Sequence, residues 1–308
     1  MRETFVHLLD YSHGRHALLS IAQPALGALL AAQGFPDRRA TSLGVMAAGA
    51  GMLCVYASND LFDLEADREE AGWLTSSESE ERYGLIRARL RHPLARGALP
   101  VWLGVTWVVG TGLAALALAT KLRRGCGLMF ISCVGLEALY SALKRRTWLK
   151  TLPGGAMVGL GALSGWYAVA DLGSGSFSFF LLLAFWEIFG RNVSNDFADL
   201  SLDAPIGIRT IATTYGPKWA ARTCLGGATA MLFVAARQKG PASLRLLLVA
   251  VATWTMAVPA LRLVRRPTET EAQRYFNRAS LFPPLAFLAA ATVFLCRAAR
   301  TRRRPTVL

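Results

Sequence analysis

Long, mainly apolar stretches, separated by short polar segments, restrict the fold of this chain more than any other feature. A helix that crosses the hydrocarbon core of a bilayer needs about 20 mainly apolar residues. The chain offers nine such runs, at residues 16–33, 41–58, 100–120, 125–143, 152–171, 177–194, 219–236, 244–261 and 280–296. Backbone polar groups inside a bilayer must be satisfied within the segment, so the runs predict helices. The fold class is therefore an all-α polytopic membrane protein.

The composition agrees with a membrane location. The chain is 53% hydrophobic and only 18% charged, and its polar residues are clustered. A net charge of +14 would suggest nucleic acid as the partner of a soluble protein. Here the arginines flank apolar spans, where they meet lipid phosphates. We therefore expect membrane lipid as a partner and no nucleic acid. The five cysteines form no C-x-x-C pair, which favours packing over a disulfide or zinc site.

One acidic pattern occurs twice, after the second and the sixth run. Residues 59–67 read NDLFDLEAD and residues 195–203 read NDFADLSLD, so both copies are N-D-x-x-D-x-x-x-D. On a continuing helix this spacing places the aspartates of each copy on one face, where their charges repel. Carboxylate and amide oxygens suit Mg²⁺, which is usually shared with substrate phosphates. The repeat predicts a magnesium-diphosphate group held between two acidic faces; two merely solvated loops are the alternative.

Basic residues follow the fourth run and the second acidic copy, where they could bind an anion. The segment YSALKRR, residues 140–146, ends the fourth run with Tyr140 and Lys144 one helical turn apart and with Arg145 next. Arg209 follows the second acidic copy in DAPIGIRT. These cations fit a diphosphate, although anchoring to lipid headgroups would also explain them.

Four segments in this order resemble the UbiA superfamily of intramembrane prenyltransferases. They are NDLFDLEAD, HPLARGALP, YSALKRR and NDFADLSLDAPIGIRTIATTYG. The likeness covers nearly the whole chain, so residues 1–308 are expected to form one membrane-embedded domain. It implies a nine-helix bundle with a central cavity beneath a cytoplasmic cap. Two departures stand out: His92 replaces the usual arginine, and residues 68–91 form a longer cap loop than expected.

The resemblance also implies roles for the motif residues. One Mg²⁺ would be bound by Asn59, Asp63 and Asp67, and a second by Asp196, Asp199 and Asp203. The diphosphate would be bound by Asn195, Lys144, Arg145 and Arg209. Tyr140 would face the allylic cation, and Asp63, Asp67, Asp199 and Asp203 would share the catalytic role with it. The neighbouring spans offer further aromatic rings, Trp166, Tyr167, Phe185, Trp186 and Phe189, which are better explained by packing than by catalysis.

A few charged or titratable residues lie outside these motifs. Glu187 and Arg191 are one turn apart in the sixth run, which predicts an internal ion pair. Glu137 is a candidate for the cavity wall. His7, His13 and His16 are interpreted as interfacial residues rather than metal ligands.

The resemblance implies a Mg²⁺-dependent enzyme that moves an isoprenyl group from a prenyl diphosphate to an aromatic or lipid acceptor. Open alternatives are a terpene cyclase, a phosphoribosyl transferase acting on polyprenyl phosphate, and a non-catalytic transporter. Lys and Arg are more numerous on the side that carries the acidic loops. We therefore expect a multi-pass protein of the bacterial cytoplasmic membrane whose active site faces the cytoplasm.

Overall fold

The computed structural model describes residues 2–73 and 92–302, where all regular structure is helical. The first segment contains α1 (Arg2–Tyr11), α2 (Gly14–Ser20), α3 (Ala22–Ala32), α4 (Arg38–Phe62) and α5 (Leu64–Trp73). The next helices are α6 (Val101–Leu122), α7 (Arg124–Leu143), α8 (Thr151–Tyr167) and α9 (Ser174–Phe185). They are followed by α10 (Val193–Ala198), α11 (Leu200–Asp203), α12 (Ile211–Tyr215), α13 (Pro217–Ala236), α14 (Ala242–Ala252), α15 (Val258–Arg265), α16 (Glu269–Ala279) and α17 (Phe282–Arg302).

Three short segments complete the helical description. A 3₁₀ turn, Trp148–Lys150, precedes α8. A π-helical segment, Trp186–Asn192, joins α9 to α10, and another, Thr253–Ala257, joins α14 to α15. Helical geometry therefore continues from α9 through α10.

Six helical stretches are long and apolar enough to cross a bilayer, which confirms a polytopic membrane protein. They are Arg38–Phe62, Val101–Leu122, Arg124–Leu143, Pro217–Ala236, Ala242–Arg265 and Glu269–Arg300. The other three predicted spans fall on shorter helices: α2 with α3, α8, and α9 with the π-helical segment and α10. Within the described residues, length and composition alone thus support six spans rather than nine. Of the predicted loop 68–91, residues 74–91 lie outside the description, and residues 68–73 belong to α5.

The spanning helices direct large apolar side chains outward. Trp102 and Leu113 on α6, Leu128 on α7 and Leu246 on α14 are all more than 60% exposed. In a bilayer such side chains contact lipid, so outward exposure carries no penalty. Asp37 starts α4 by accepting a hydrogen bond from the Ala40 backbone nitrogen at 2.9 Å.

Glycine allows α3 and α8 to pack with their backbones almost touching. A Cβ atom at Gly165 would lie 2.0 Å from the Pro24 carbonyl oxygen, and one at Gly27 would lie 2.7 Å from the Ala162 carbonyl oxygen. Membrane helices commonly use small residues in this way, because close approach increases dispersion contacts. This contact joins the first helices of the chain to its middle.

A central cavity of about 1060 Å³ runs beside this contact. Its longest wall is α4, which contributes lining residues from Ala40 at one end to Asp60 at the other. These residues recur every three or four positions, so one face of the whole helix borders the cavity. Parts of α3, α7, α8 and the Trp186–Asn192 segment form the other walls.

We predict that Gly165→Ala lowers the thermal unfolding temperature of the purified protein, because the new methyl group would overlap the α3 backbone. Overpacking of this kind costs about 1–3 kcal/mol. Gly161→Ala is the matched control, since a Cβ at Gly161 on the same helix meets no atom within 4 Å. Equal unfolding temperatures for the two variants in one detergent would contradict the close contact.

Candidate active site

Both copies of the acidic motif break their helix at the second aspartate. Asp63 ends α4 with φ −93° and ψ 3°, and Asp199 separates α10 from α11 with φ −100° and ψ 14°. In each copy its backbone nitrogen donates to the carbonyl of the motif's asparagine, at 2.9 Å from Asn59 and 3.0 Å from Asn195. The shared face inferred for a continuing helix is thus interrupted at this aspartate, and the two copies share a turn there. All eight motif residues line the cavity, namely Asn59, Asp60, Asp63, Asp67, Asn195, Asp196, Asp199 and Asp203.

In the first copy, partners from α7 and its end engage the side chains. Asn59 Nδ2 donates to Glu137 Oε1 at 2.6 Å, which fixes the orientation of the amide. Glu137 is buried and lines the cavity, in agreement with its predicted place. Lys144 Nζ donates to Asp63 Oδ2, so the lysine predicted to grip diphosphate here neutralises an aspartate.

Two histidines engage the first copy from other parts of the chain. His13 Nε2 lies 3.0 Å from Asp60 Oδ1, while His92 Nδ1 lies 2.8 Å from Asp67 Oδ2 and 3.7 Å from Asp60 Oδ1. Both histidines have left-handed backbones, with φ of 47° and 50°, a conformation that histidine adopts more readily than most residues. His13 is thus a partner of the acidic motif as well as a residue near the helix ends.

His92 can supply the positive charge that arginine would carry at its position. Burial alone would lower its pKa, but the hydrogen bonds and charges of Asp60 and Asp67 outweigh burial and raise the pKa of His92 to about 9. One ligand atom from each of these three residues lies within 4.8 Å of the others. The imidazole therefore holds the two carboxylates together at neutral pH.

The second copy is engaged by Lys150, a residue that the sequence interpretation missed. Its Nζ is buried and lies 2.7 Å from Asp196 Oδ1 and 3.3 Å from the Tyr140 hydroxyl. Tyr140 lies between two ammonium groups, with Lys150 5.0 Å and Lys144 5.8 Å from its ring centroid. The sequence feature that could have identified Lys150 is its position as a lone lysine at the start of an apolar run. The first aspartate of each copy is thus bound by a base from elsewhere in the chain.

The second copy has the donor set and charge excess of a divalent cation site. Asn195 Nδ2 lies 3.2 Å from Asp199 Oδ2, and Asp196 Oδ2 is buried with no hydrogen-bond partner among the described residues. Burial first, and the charges of Asp196 and Asp199 next, raise the pKa of Asp203 to about 8. Crowded carboxylate oxygens with too few cations fit Mg²⁺ or a similar hard ion.

Some predicted residues do not reach the cavity. Arg145 is half exposed and pairs with Glu69 on α5. The Arg209 side chain is exposed, although its backbone nitrogen donates to the Lys144 carbonyl at 2.8 Å. None of the five aromatic residues proposed beside the cavity lines it. Among the described residues, the cavity is lined instead by the aromatic side chains of Phe35, Tyr56, Phe130, Tyr140, Phe276 and Phe287.

Comparison with known families decides what class of protein carries this arrangement. The UbiA prenyltransferase family matches residues 21–282, which is most of the chain. The chain belongs to this family. No curated protein matches the sequence significantly.

Solved structures of UbiA proteins share the fold. An apo UbiA homologue from Aeropyrum pernix K1 superposes with a TM-score of 0.72 at 19% identity, covering 91% of this chain and 98% of its own. Digeranylgeranylglyceryl phosphate synthase gives 0.68 at 16% identity, with 95% and 98% covered. A homologue from Archaeoglobus fulgidus bound to GPP and Mg²⁺ gives 0.61 at 13% identity, with 92% and 99% covered.

We predict that Lys150→Met destabilises this UbiA-family protein strongly, because Asp196 would remain as an unpaired buried charge. Loss of one partner of a buried pair costs about 3–5 kcal/mol. Adding Asp196→Asn should restore part of the lost stability, since a neutral amide needs no counter-ion. Thermal unfolding in detergent measures both effects, with the exposed Lys239→Met as control. A single variant as stable as the wild type would contradict the pair.

Proposed function

We propose that this protein transfers an isoprenyl group from a prenyl diphosphate to an aromatic or lipid acceptor within the membrane. The observation that carries the proposal is the meeting of two matched acidic half-sites and two lysines, Lys144 and Lys150, around one cavity. A diphosphate with bound cations needs carboxylates for its cations and ammonium groups for its phosphate oxygens in one place. A transporter of free cations would not need the lysines.

The metal would be held by the residues that the repeat brings to the cavity. We assign one Mg²⁺ to Asn59, Asp63 and Asp67. The second is assigned to Asp196, Asp199 and Asp203, where the unpartnered Asp196 Oδ2 supports the choice. The Archaeoglobus homologue solved with GPP and Mg²⁺ supports the same ion. A Mg²⁺ ion held by these residues would supply positive charge to neutralise the leaving diphosphate.

The lysines and Tyr140 act on the bond that breaks. The carbon–oxygen bond of the donor cleaves with its electron pair remaining on the diphosphate. Fixed ammonium groups stabilise this developing charge more strongly than the ground state, which lowers the barrier. The Tyr140 ring faces both lysines and can also stabilise the allylic cation. Glu137 serves by orienting Asn59.

The proposed location follows from the spans and their charges. We place the protein in the bacterial cytoplasmic membrane with the acidic half-sites facing the cytoplasm. The apolar spans support the membrane, and the excess of Lys and Arg on that side supports the orientation.

We predict Mg²⁺-dependent release of diphosphate from a prenyl diphosphate by the protein in lipid nanodiscs. Radiolabelled geranyl diphosphate is incubated with and without Mg²⁺, and both diphosphate and lipid products are measured. Asp63→Asn and Asp199→Asn should each reduce release at least 100-fold, because each removes a metal-binding carboxylate. Chelation of Mg²⁺ should have the same effect.

Asp37→Asn is the matched control for charge removal. Asp37 caps the opposite end of α4, and asparagine caps helices equally well. Its activity should equal that of the wild type. Products formed without any acceptor would favour cyclisation. Full activity of the Asp63 and Asp199 variants would refute the assignment of these residues.

A further inference from the structure

A second polar group lines the same cavity on the π-helical segment that precedes the second acidic copy. Glu187, Arg191 and Asn192 all belong to this segment and border the cavity. Short π-helical stretches are rare and occur frequently at functional sites. The mechanism proposed above uses none of these three residues.

The Glu187–Arg191 ion pair predicted from the sequence is present but open. Glu187 Oε2 and Arg191 Nε are 4.0 Å apart, which is too far for a hydrogen bond. Both atoms, and Asn192 Nδ2, are buried without a hydrogen-bond partner among the described residues. Unsatisfied buried polar atoms cost stability and call for a specific explanation. One acceptor oxygen and two N–H donors are therefore available to bind a ligand.

The arginine is held in place from its other sides. Its guanidinium carbon lies 5.5 Å from the Trp186 ring and 5.3 Å from the Phe276 ring. Arg191 Nη1 lies 3.5 Å from the Tyr56 hydroxyl, which is itself 2.9 Å from Ser20 Oγ. These contacts hold the guanidinium in its position beside Glu187.

The group lies next to the reacting end of the proposed donor. A Cβ placed on Gly154 would be 2.7 Å from Asn192 Nδ2 and 3.2 Å from Tyr140 Cδ2. The glycine therefore allows the amide to approach the ring that faces Lys144 and Lys150. A molecule bound to Asn192 would lie close to Tyr140.

We propose that Glu187, Arg191 and Asn192 form the acceptor site and that the acceptor presents an uncharged hydroxyl group, as in a phenol or an alcohol. This inference rests on the proposed prenyl transfer. A hydroxyl can donate to Glu187 while accepting from Arg191 or Asn192. Glu187 and Arg191 already cancel in charge, and Glu137 is near enough to act on Glu187 electrostatically. A carboxylate or phosphate would add negative charge beside two glutamates.

The chemical step balances with these groups. The donor carbon–oxygen bond breaks, and its electron pair leaves with diphosphate. An electron pair of the hydroxyl oxygen forms the new bond to the allylic carbon. The hydroxyl proton passes to the Glu187 carboxylate, which acts as general base.

Matched acceptors differing in charge test the proposal in nanodiscs with geranyl diphosphate and Mg²⁺. The pairs are 4-hydroxybenzyl alcohol with 4-hydroxybenzoate, and 1,4-dihydroxynaphthalene with 1,4-dihydroxy-2-naphthoate. We expect the neutral member of at least one pair to be prenylated at least tenfold faster. Glu187→Gln should reduce that rate about 100-fold, as for loss of a general base. Asn192→Leu should reduce it about tenfold.

Binding of geranyl diphosphate separates this proposal from the proposed function. Both variants should bind the donor as the wild type does and unfold at a similar temperature. Asp171→Asn, which removes the Arg123–Asp171 pair away from the cavity, is the matched control with unchanged transfer. Preference for the charged acceptors, or full transfer by Glu187→Gln and Asn192→Leu, would overturn the acceptor site alone. A wild type that neither binds nor cleaves the donor would overturn the prenyl transfer itself.

Discussion

Charges inside this bundle have little water to solvate them, so each depends on a partner supplied by the chain. Asp60 is bound by two imidazoles, Asp63 by Lys144 and Asp196 by Lys150. Isolated charges in a low-dielectric interior are costly, and removal of one partner leaves the other uncompensated. The helices around the cavity are therefore tied together by charge pairs as well as by apolar packing. An anionic ligand with cations would replace these pairs without leaving bare charges.

The two acidic copies share a backbone turn but not their partners. Each breaks its helix at the second aspartate and has its first aspartate bound by a distant base. In the first copy the bases are imidazoles, and in the second the base is an ammonium group next to Tyr140. A prenyl diphosphate is itself asymmetric, with one phosphate bonded to carbon. Because their partners differ, the two acidic copies form two chemically different ends of the site.

Features encoded locally could be predicted from the sequence. Apolar runs located the six spanning helices, and the duplicated motif with Tyr140 and Lys144 supplied polar residues that line the cavity. The break at the second aspartate was missed because a spacing of three and four is also helical. Contacts between distant residues were beyond reach: His13 and Asp60 are 47 positions apart, and Lys150 and Asp196 are 46 apart. For the same reason the charge of Arg145 alone could not show that it turns outward to Glu69.

The shape of the cavity bears on how the enzyme would treat long substrates. Its lining follows α4 from Asn59 to Ala40, which is about 29 Å at the rise of an α-helix and close to the thickness of a bilayer core. At the far end, Phe35 and Val45 border the cavity yet are about half exposed. Under the proposed function, this face of α4 offers the hydrocarbon tail of the donor a path as long as the bilayer core is thick. Such a channel would bind the diphosphate end of a donor through fixed charges and its tail through apolar contacts along α4.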